Sequence, residues 1–169
     1  MNQSLRIVPA TEAGPQLAKE LRDWFEAEFG RADRWAQPDC YVILRLGDQL
    51  AGRLGVLNRK VSVGGRITTV GGIGGVATKP EFRHRGVASA MLARAAELMR
   101  SDLEVEFGFL LCRHEVSPVY VKMGWIIVPG PTTFTRAGVT ATYPNDTMIL
   151  PLAGKEWPPG PIDMLGLPW

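Results

Sequence analysis

The apolar positions of this chain alternate between two periods. Leu5-Arg6-Ile7-Val8 is a short, branched segment stopped by Pro9 and predicts a first strand. Over residues 15–29 the spacing turns helical: Leu17, Leu21, Trp24 and Phe25 share one stripe with Glu28, its one charged member. Pro15 suits the first turn and Gly30 ends the helix. Three strand-like segments follow at residues 41–46, 50–61 and 67–78, separated by the turn signals Gly47-Asp48 and Gly64-Gly65. They predict an antiparallel meander. Helical spacing returns over residues 86–100, with Val87, Met91, Ala95 and Leu98 inward and Arg94, Glu97 and Arg100 outward. Residues 107–112 are nearly all apolar, as in a strand buried on both faces. Ser117 as N-cap and Pro118 at the first position open a short helix to residue 123, stopped by Gly124. Residues 125–128 and 147–152 read as closing strands. The segments 129–131 and 137–145 read as loops, and the tail 157–169 as too rich in proline for regular structure. The order β-α-βββ-α-β-α-ββ, without repeat or linker, describes one α/β domain over residues 1–169.

Charge and composition narrow the function classes. The net charge of +2 is too balanced for wholesale binding of nucleic acid or a membrane surface. No apolar run reaches the ~18 residues of a membrane span, and the first residues lack an apolar core of signal-peptide length. Cys40 and Cys112 match no metal or redox spacing and read as free thiols. A cytoplasmic protein is expected. Residues 31–39 form a polar connector, either a solvated loop or one wall of a polar site made by Asp33, Trp35 and Asp39.

The chemistry concentrates at residues 74–92. Gly71, Gly72, Gly74 and Gly75 crowd one strand, a density that needs a bulge or the close approach of a ligand. The ligand reading is preferred, because Arg83-His84-Arg85-Gly86 follows directly and opens a helix. A basic glycine turn at a helix N-terminus presents backbone N–H groups and positive charge to phosphate. No Walker loop occurs, nor a dinucleotide fingerprint at the first strand-to-helix turn.

With its Arg83-x-x-Gly86-x-Ala88 turn, Val76-Ala77-Thr78-Lys79-Pro80-Glu81-Phe82-Arg83-His84-Arg85-Gly86-Val87-Ala88 resembles the acetyl-CoA motif of the GCN5-related N-acetyltransferases (GNAT). Val119-Tyr120-Val121-Lys122-Met123-Gly124-Trp125 resembles a second segment of that family, and order and spacing agree across nearly the whole chain. The resemblance implies an α/β GNAT fold, with a mixed, mostly antiparallel sheet of six to seven strands that splays at the acyl-CoA strand. It implies acetyl-CoA as donor and a small-molecule amine as acceptor. Val76, Ala77 and Thr78 would hold the pantetheine arm, and Arg83, His84, Arg85, Gly86, Val87, Ala88 and Ser89 the pyrophosphate. Tyr120 would protonate the leaving thiolate; a core tyrosine with a bonded hydroxyl is the plainer reading. For a catalytic base, His114 and Glu115 compete with water and with a merely solvated turn.

The C-terminal third resembles the aminoglycoside 2'-N-acetyltransferases, through Gly130-Pro131-Thr132-Thr133, the 138–142 segment with Asp146, Leu150-Pro151-Leu152, and the tryptophans Trp157 and Trp169. That resemblance implies acceptor contacts at Asp146, at the Trp169 carboxylate and, more loosely, at Asp33. One departure matters: those enzymes carry a glutamate where this chain has Gly74. Its loss favours a less cationic drug such as kasugamycin over a polyamine, with resistance as the outcome. Two alternatives are a sugar-amine acyltransferase resembling the nodulation-factor enzyme, on the strength of residues 54–57, 63–65 and 156–163, and a non-catalytic acyl-CoA sensor. The apolar tail is compatible with a homodimer.

Overall fold

The computed structural model describes residues 2–169. One 10-stranded mixed sheet carries three helices. β1 (Gln3–Pro9), β2 (Cys40–Leu46), β3 (Gln49–Val63) and β4 (Arg66–Thr78) form an antiparallel meander, with α1 (Gly14–Phe29) between β1 and β2. α2 (Val87–Ser101) then crosses over to β5 (Phe107–Cys112), which lies parallel to β4. A parallel neighbour needs such a crossover, and a right-handed helix is the usual means. α3 (Ser117–Val121) leads into β6 (Ile126–Val128), and β9 (Asp146–Pro151) pairs antiparallel with both β5 and β6.

Alternation along the strands sorts the core onto two faces. Leu54, Val56, Ile73 and Leu110 face α2, where Val87, Met91, Ala95 and Leu98 are all buried as their spacing predicts. On the opposite face lie Leu57, Val70, Phe107 and Phe109. α1 contributes Leu21, which is fully buried beside Val8, Ile43 and Leu50.

Two regions expected to be irregular are not. The stretch after β6 forms a hairpin of β7 (Thr132–Arg136) and β8 (Val139–Thr142), turning at Ala137 and Gly138 with φ of 50° and 77°. Alternating threonines around Phe134 carry the strand pattern, but the neighbouring prolines and the alanine at a glycine-like position hide it. In the tail, β10 (Ile162–Asp163) lies between β7 and β3. Its prolines do not prevent this: the Ile162 N–H donates to the Pro131 carbonyl and the Gly64 N–H to the Pro161 carbonyl, at 2.9 and 2.8 Å. The sheet therefore exceeds the six to seven strands expected. Ile162, Met164 and Trp169 of the tail are buried on the chain's own sheet.

The glycines of β4 have mainly an internal reason. A Cβ at Gly71 would meet Met99 Sδ at 2.2 Å, and one at Gly72 would meet Trp169 Nε1 at 2.4 Å. At Gly74 it would stand 3.0 Å from the main-chain carbonyl carbon of Trp169. The glycine-rich strand is thus the seat of α2 on one side and of the C-terminal tryptophan on the other. Gly72→Ala should therefore lower stability by about 1–3 kcal/mol through overpacking. Denaturant unfolding followed by tryptophan emission checks this, with a red-shifted native spectrum expected as Trp169 leaves its seat.

Candidate functional site

The sheet opens at one point. β4 and β5 pair from Val70↔Phe107 to Ile73↔Leu110 and then part. Beyond Ile73, β4 keeps β3 on one side only, so residues 74–78 present an unpaired backbone edge on the other. A bulge marks the change: Gly75 and Val76 together oppose Leu54, and Gly75 adopts φ 59°. A side chain at that φ is strained, and its Cβ would also meet Phe25 and Arg53 Nη2 at 2.9 Å.

At the far end of this edge, residues 80–82 form a single 3-10 turn, and His84 and Gly86 take φ of 60° and 76°. This reversal delivers the chain into α2. The first i→i−4 bond of α2 runs from Ala90 N–H to Gly86 carbonyl at 2.9 Å, so Val87, Ala88 and Ser89 have N–H groups without a helical acceptor. Arg83 Nε donates to the Thr78 carbonyl at 3.3 Å, and Arg85 lies 5.7 Å from the Phe82 ring centroid. Two cations and a row of free donors thus stand at the end of a strand edge able to accept one more extended chain.

In the opening between the parted strands is a cleft of about 570 Å³, lined by Gly74, Gly75 and Val76 on one side and Leu110 to Arg113 on the other. Tyr120 closes its floor from α3, packed edge-on against Trp125 at 6.2 Å. Burial, and secondarily Cys112, hold the phenol above its ordinary value, so it stays protonated. Its hydroxyl has no hydrogen-bond partner among the described residues. Tyr143 enters from the turn before β9, with its phenol pushed up to about 12, chiefly by burial. Burial likewise pushes the Cys112 thiol up to about 11.

The other expected site residues divide. Trp35, Gly74 and Trp169 all line the cleft. Trp169 is buried, and its indole N–H donates to the Phe109 carbonyl at 3.3 Å. His114 and Asp146 meet at 2.8 Å, since Asp146 sits opposite Cys112 at the end of β5. That pair is at the rim rather than within the cleft, and 79% of the His114 side-chain surface is open to solvent. Glu115 is exposed and lies 3.7 Å from Arg113. Asp33 is also exposed, ion-paired with Arg31, and stands outside the cleft. Asp39 pairs instead with Arg59 at 3.0 Å and with the Asn58 N–H. Ser117 sits within α3, its hydroxyl donating back to the His114 carbonyl at 2.8 Å rather than capping.

Two charged residues that pattern reading passed over also belong here. Glu28, at the end of α1, lines the cleft. Arg53, on β3, lines a contiguous pocket of about 170 Å³ that shares Phe25, Trp35, Gly74, Gly75 and Trp169 with the cleft. Each had the same signal: a lone charge inside an apolar pattern, Glu28 on the α1 stripe and Arg53 in Leu50-Ala-Gly-Arg-Leu-Gly-Val-Leu. Arg53 is 2% exposed, and no carboxylate pairs with it among the described residues. Its Nη1 donates to the Leu21 carbonyl at 3.0 Å, while Phe25 and Tyr41 flank the guanidinium at 5.1 and 5.4 Å. Burial lowers this guanidinium to about 10, which leaves it charged at neutral pH.

Comparison with known proteins agrees with this geometry. The chain resembles the GCN5-related N-acetyltransferase of Kribbella flavida (21% identity, TM-score 0.53), over 73% of this chain and 34% of that one. It also resembles Escherichia coli ElaA (13%, TM-score 0.62, 88% and 99%) and the E. coli GNAT family N-acetyltransferase YhbS in complex with CoA (11%, TM-score 0.68, 96% and 89%). The chain thus spans about a third of the Kribbella protein and nearly all of ElaA. No curated protein sequence matches it. Residues 11–128 match the Acetyltransferase (GNAT) domain, so the chain belongs to the GNAT acetyltransferase family.

Proposed function

We propose that this chain transfers the acetyl group of acetyl-CoA to an amino group of a small, weakly cationic amino sugar. The observation that carries the reading is the unpaired edge of β4 beyond Ile73, with cationic N–H donors at one end and the Tyr120 hydroxyl at the other. The residues fit the donor. Val76 and Thr78 would bond the pantetheine amides as an added strand does, and Arg83, Arg85 and the N–H groups of residues 87–89 would hold the pyrophosphate. His84 and Gly86 take the left-handed turns that aim those groups outward. Acetyl-CoA supplies an activated acetyl thioester. Tyr120 holds a proton at the cleft floor, available to a departing thiolate. His114, exposed at the rim and bonded to Asp146, would pass the amine's proton to solvent.

The charge of the cavity walls supports the acceptor class. Glu28 is the one acidic side chain lining the cleft or its side pocket, against Arg22, Arg53 and Arg113. A polyamine drug seeks several carboxylates, and Gly74 supplies none. An aminoglycoside of low positive charge, with kasugamycin as the type, suits these walls better, and acetylation of its 2'-amine would confer resistance. Thiol release from acetyl-CoA across a panel of amino sugars and aminoglycosides tests this. Low-charge acceptors should show the higher kcat/KM, and reaction with the polyamine drugs alone would sink the reading.

Three further outcomes are expected. Tyr120→Phe should lower kcat by about 10²–10⁴-fold, the usual yield of a general acid, with the KM for acetyl-CoA little changed. Because burial raises the Tyr120 pKa, the wild-type rate should climb with pH as the amine loses its proton, without a basic limb below about pH 10. Replacing Arg83 and Arg85 by Gln should weaken coenzyme A by about tenfold or more and leave pantetheine, which lacks the pyrophosphate, unaffected. Calorimetric titration of both ligands makes the comparison.

A further inference from the structure

The side pocket beside the cleft has an unusual chemistry. Its walls are Phe25, Trp35 and Tyr41 with Ala36, Pro38 and Leu57, and its lining includes no acidic side chain. Set among them is the Arg53 guanidinium. Nη1 is engaged by Leu21, whereas Nε has no partner among the described residues and is sealed from solvent. Nη2 reaches the bulge at Gly75, where a Cβ would stand 2.9 Å from it. Nε and Nη2 form one side of the guanidinium fork, the side that receives a planar anion through two parallel hydrogen bonds. An isolated buried cation is unfavourable unless something pairs with it. Phe25 and Tyr41 flank its faces, but no carboxylate among the described residues pairs with it.

We infer that Arg53 is the receptor for a carboxylate carried by the acceptor, so that the substrate is an amine that also bears an acid group. This rests on the acetyltransferase reading above and narrows it. Two observations favour a carboxylate over a phosphate. Apart from Arg22 and Gln37, the walls around Arg53 are aromatic and aliphatic and offer a dianion few further donors. At about 170 Å³ the pocket holds an acid group and a short carbon skeleton, not a large phosphorylated one. Because the pocket shares Gly74, Gly75, Trp35 and Trp169 with the cleft, an acceptor anchored by its acid would extend its amine toward the parted strands. Glu28 lies on that side to meet the ammonium.

Binding can be read without turnover, since Trp35 and Trp169 both border the pocket. Phenylacetate and the neutral phenylacetamide are titrated against the wild-type chain, and tryptophan emission is followed. The acid should bind at least about tenfold more tightly than the amide, the ratio expected of a charged hydrogen-bonded pair. Arg53→Met should abolish that ratio while coenzyme A affinity stays within about twofold; Arg53→Lys should restore part of it. Equal binding of acid and amide to the wild type, or no binding of either, overturns the inference without any variant having to fold. So does a ratio that persists in Arg53→Met. In a second measurement, an amino acid and its carboxamide are compared as acetyl acceptors at fixed acetyl-CoA, with the acid expected to show the higher kcat/KM. Failure of every amine to react would count against acetyl transfer, whereas the carboxylate preference in emission would stand.

Discussion

The separation of β4 from β5 after a short parallel pairing is the constraint on which the site depends. Backbone N–H and C=O groups demand partners, and a strand inside a sheet ordinarily finds them on both sides. Here β4 is paired throughout by β3, but β5 turns away after Leu110. The bulge at Gly75 is the local device: one extra residue on β4 re-aims the strand and breaks the pairing rhythm at the point where it must stop. The unpaired edge is thereby left for an extended ligand, and the same divergence opens the cleft into which Tyr120 projects. The basic turn at Arg83 to Gly86 and the Tyr120 hydroxyl lie at opposite ends of one strand edge, so on the proposed reading a single ligand engages both.

The elements that make this edge were largely legible in the sequence. β4 and the basic glycine turn after it have strong local patterns, and helix α2 begins where that turn and its apolar stripe place it. What was not legible is long-range. The prolines around residues 131 and 161 argue against strands locally, yet β7 and β10 pair with each other because distant carbonyls and N–H groups meet there. The glycines of β4 were read toward a ligand, whereas Met99 and Trp169 fill the space they leave. No local pattern announces a partner nearly 100 residues away. For Asp33 and Asp39 the sequence left a solvated loop and the wall of a polar site both open, and Asp33 was otherwise offered only by resemblance; both are exposed outside the cleft and pair with Arg31 and Arg59.

Trp169 also changes the meaning of Gly74. Taken as a position, Gly74 lacks the carboxylate that its resemblance calls for. Taken in the fold, it is also a tight position, because a Cβ there would stand 3.0 Å from the Trp169 main chain, which would have to give way slightly. The tail thus bears on which side chain β4 can carry at the cleft. The side chains placed to accept a proton near the opening are Glu28, which lines it, and His114 with Asp146 at the rim, His114 being the one open to solvent. On the proposed reading an amine entering here loses its proton through that rim rather than to a side chain at position 74.

The charge of the walls follows the same logic. A buried guanidinium without a carboxylate is a poor stabilising element, and a well-packed apolar residue at that place would commonly be as good or better. Its placement on β3 next to the parted strands therefore points away from stability and toward what enters the pocket. Glu28 interrupts the α1 stripe in a comparable way, at the end of the helix that faces the cleft. Each breaks an apolar pattern at a wall of the same opening, and their signs are opposite. A cavity bounded by Arg22, Arg53 and Arg113 and by one acidic side chain, Glu28, is complementary to a molecule that carries an acid beside its amine, and poorly suited to one that carries several ammonium groups.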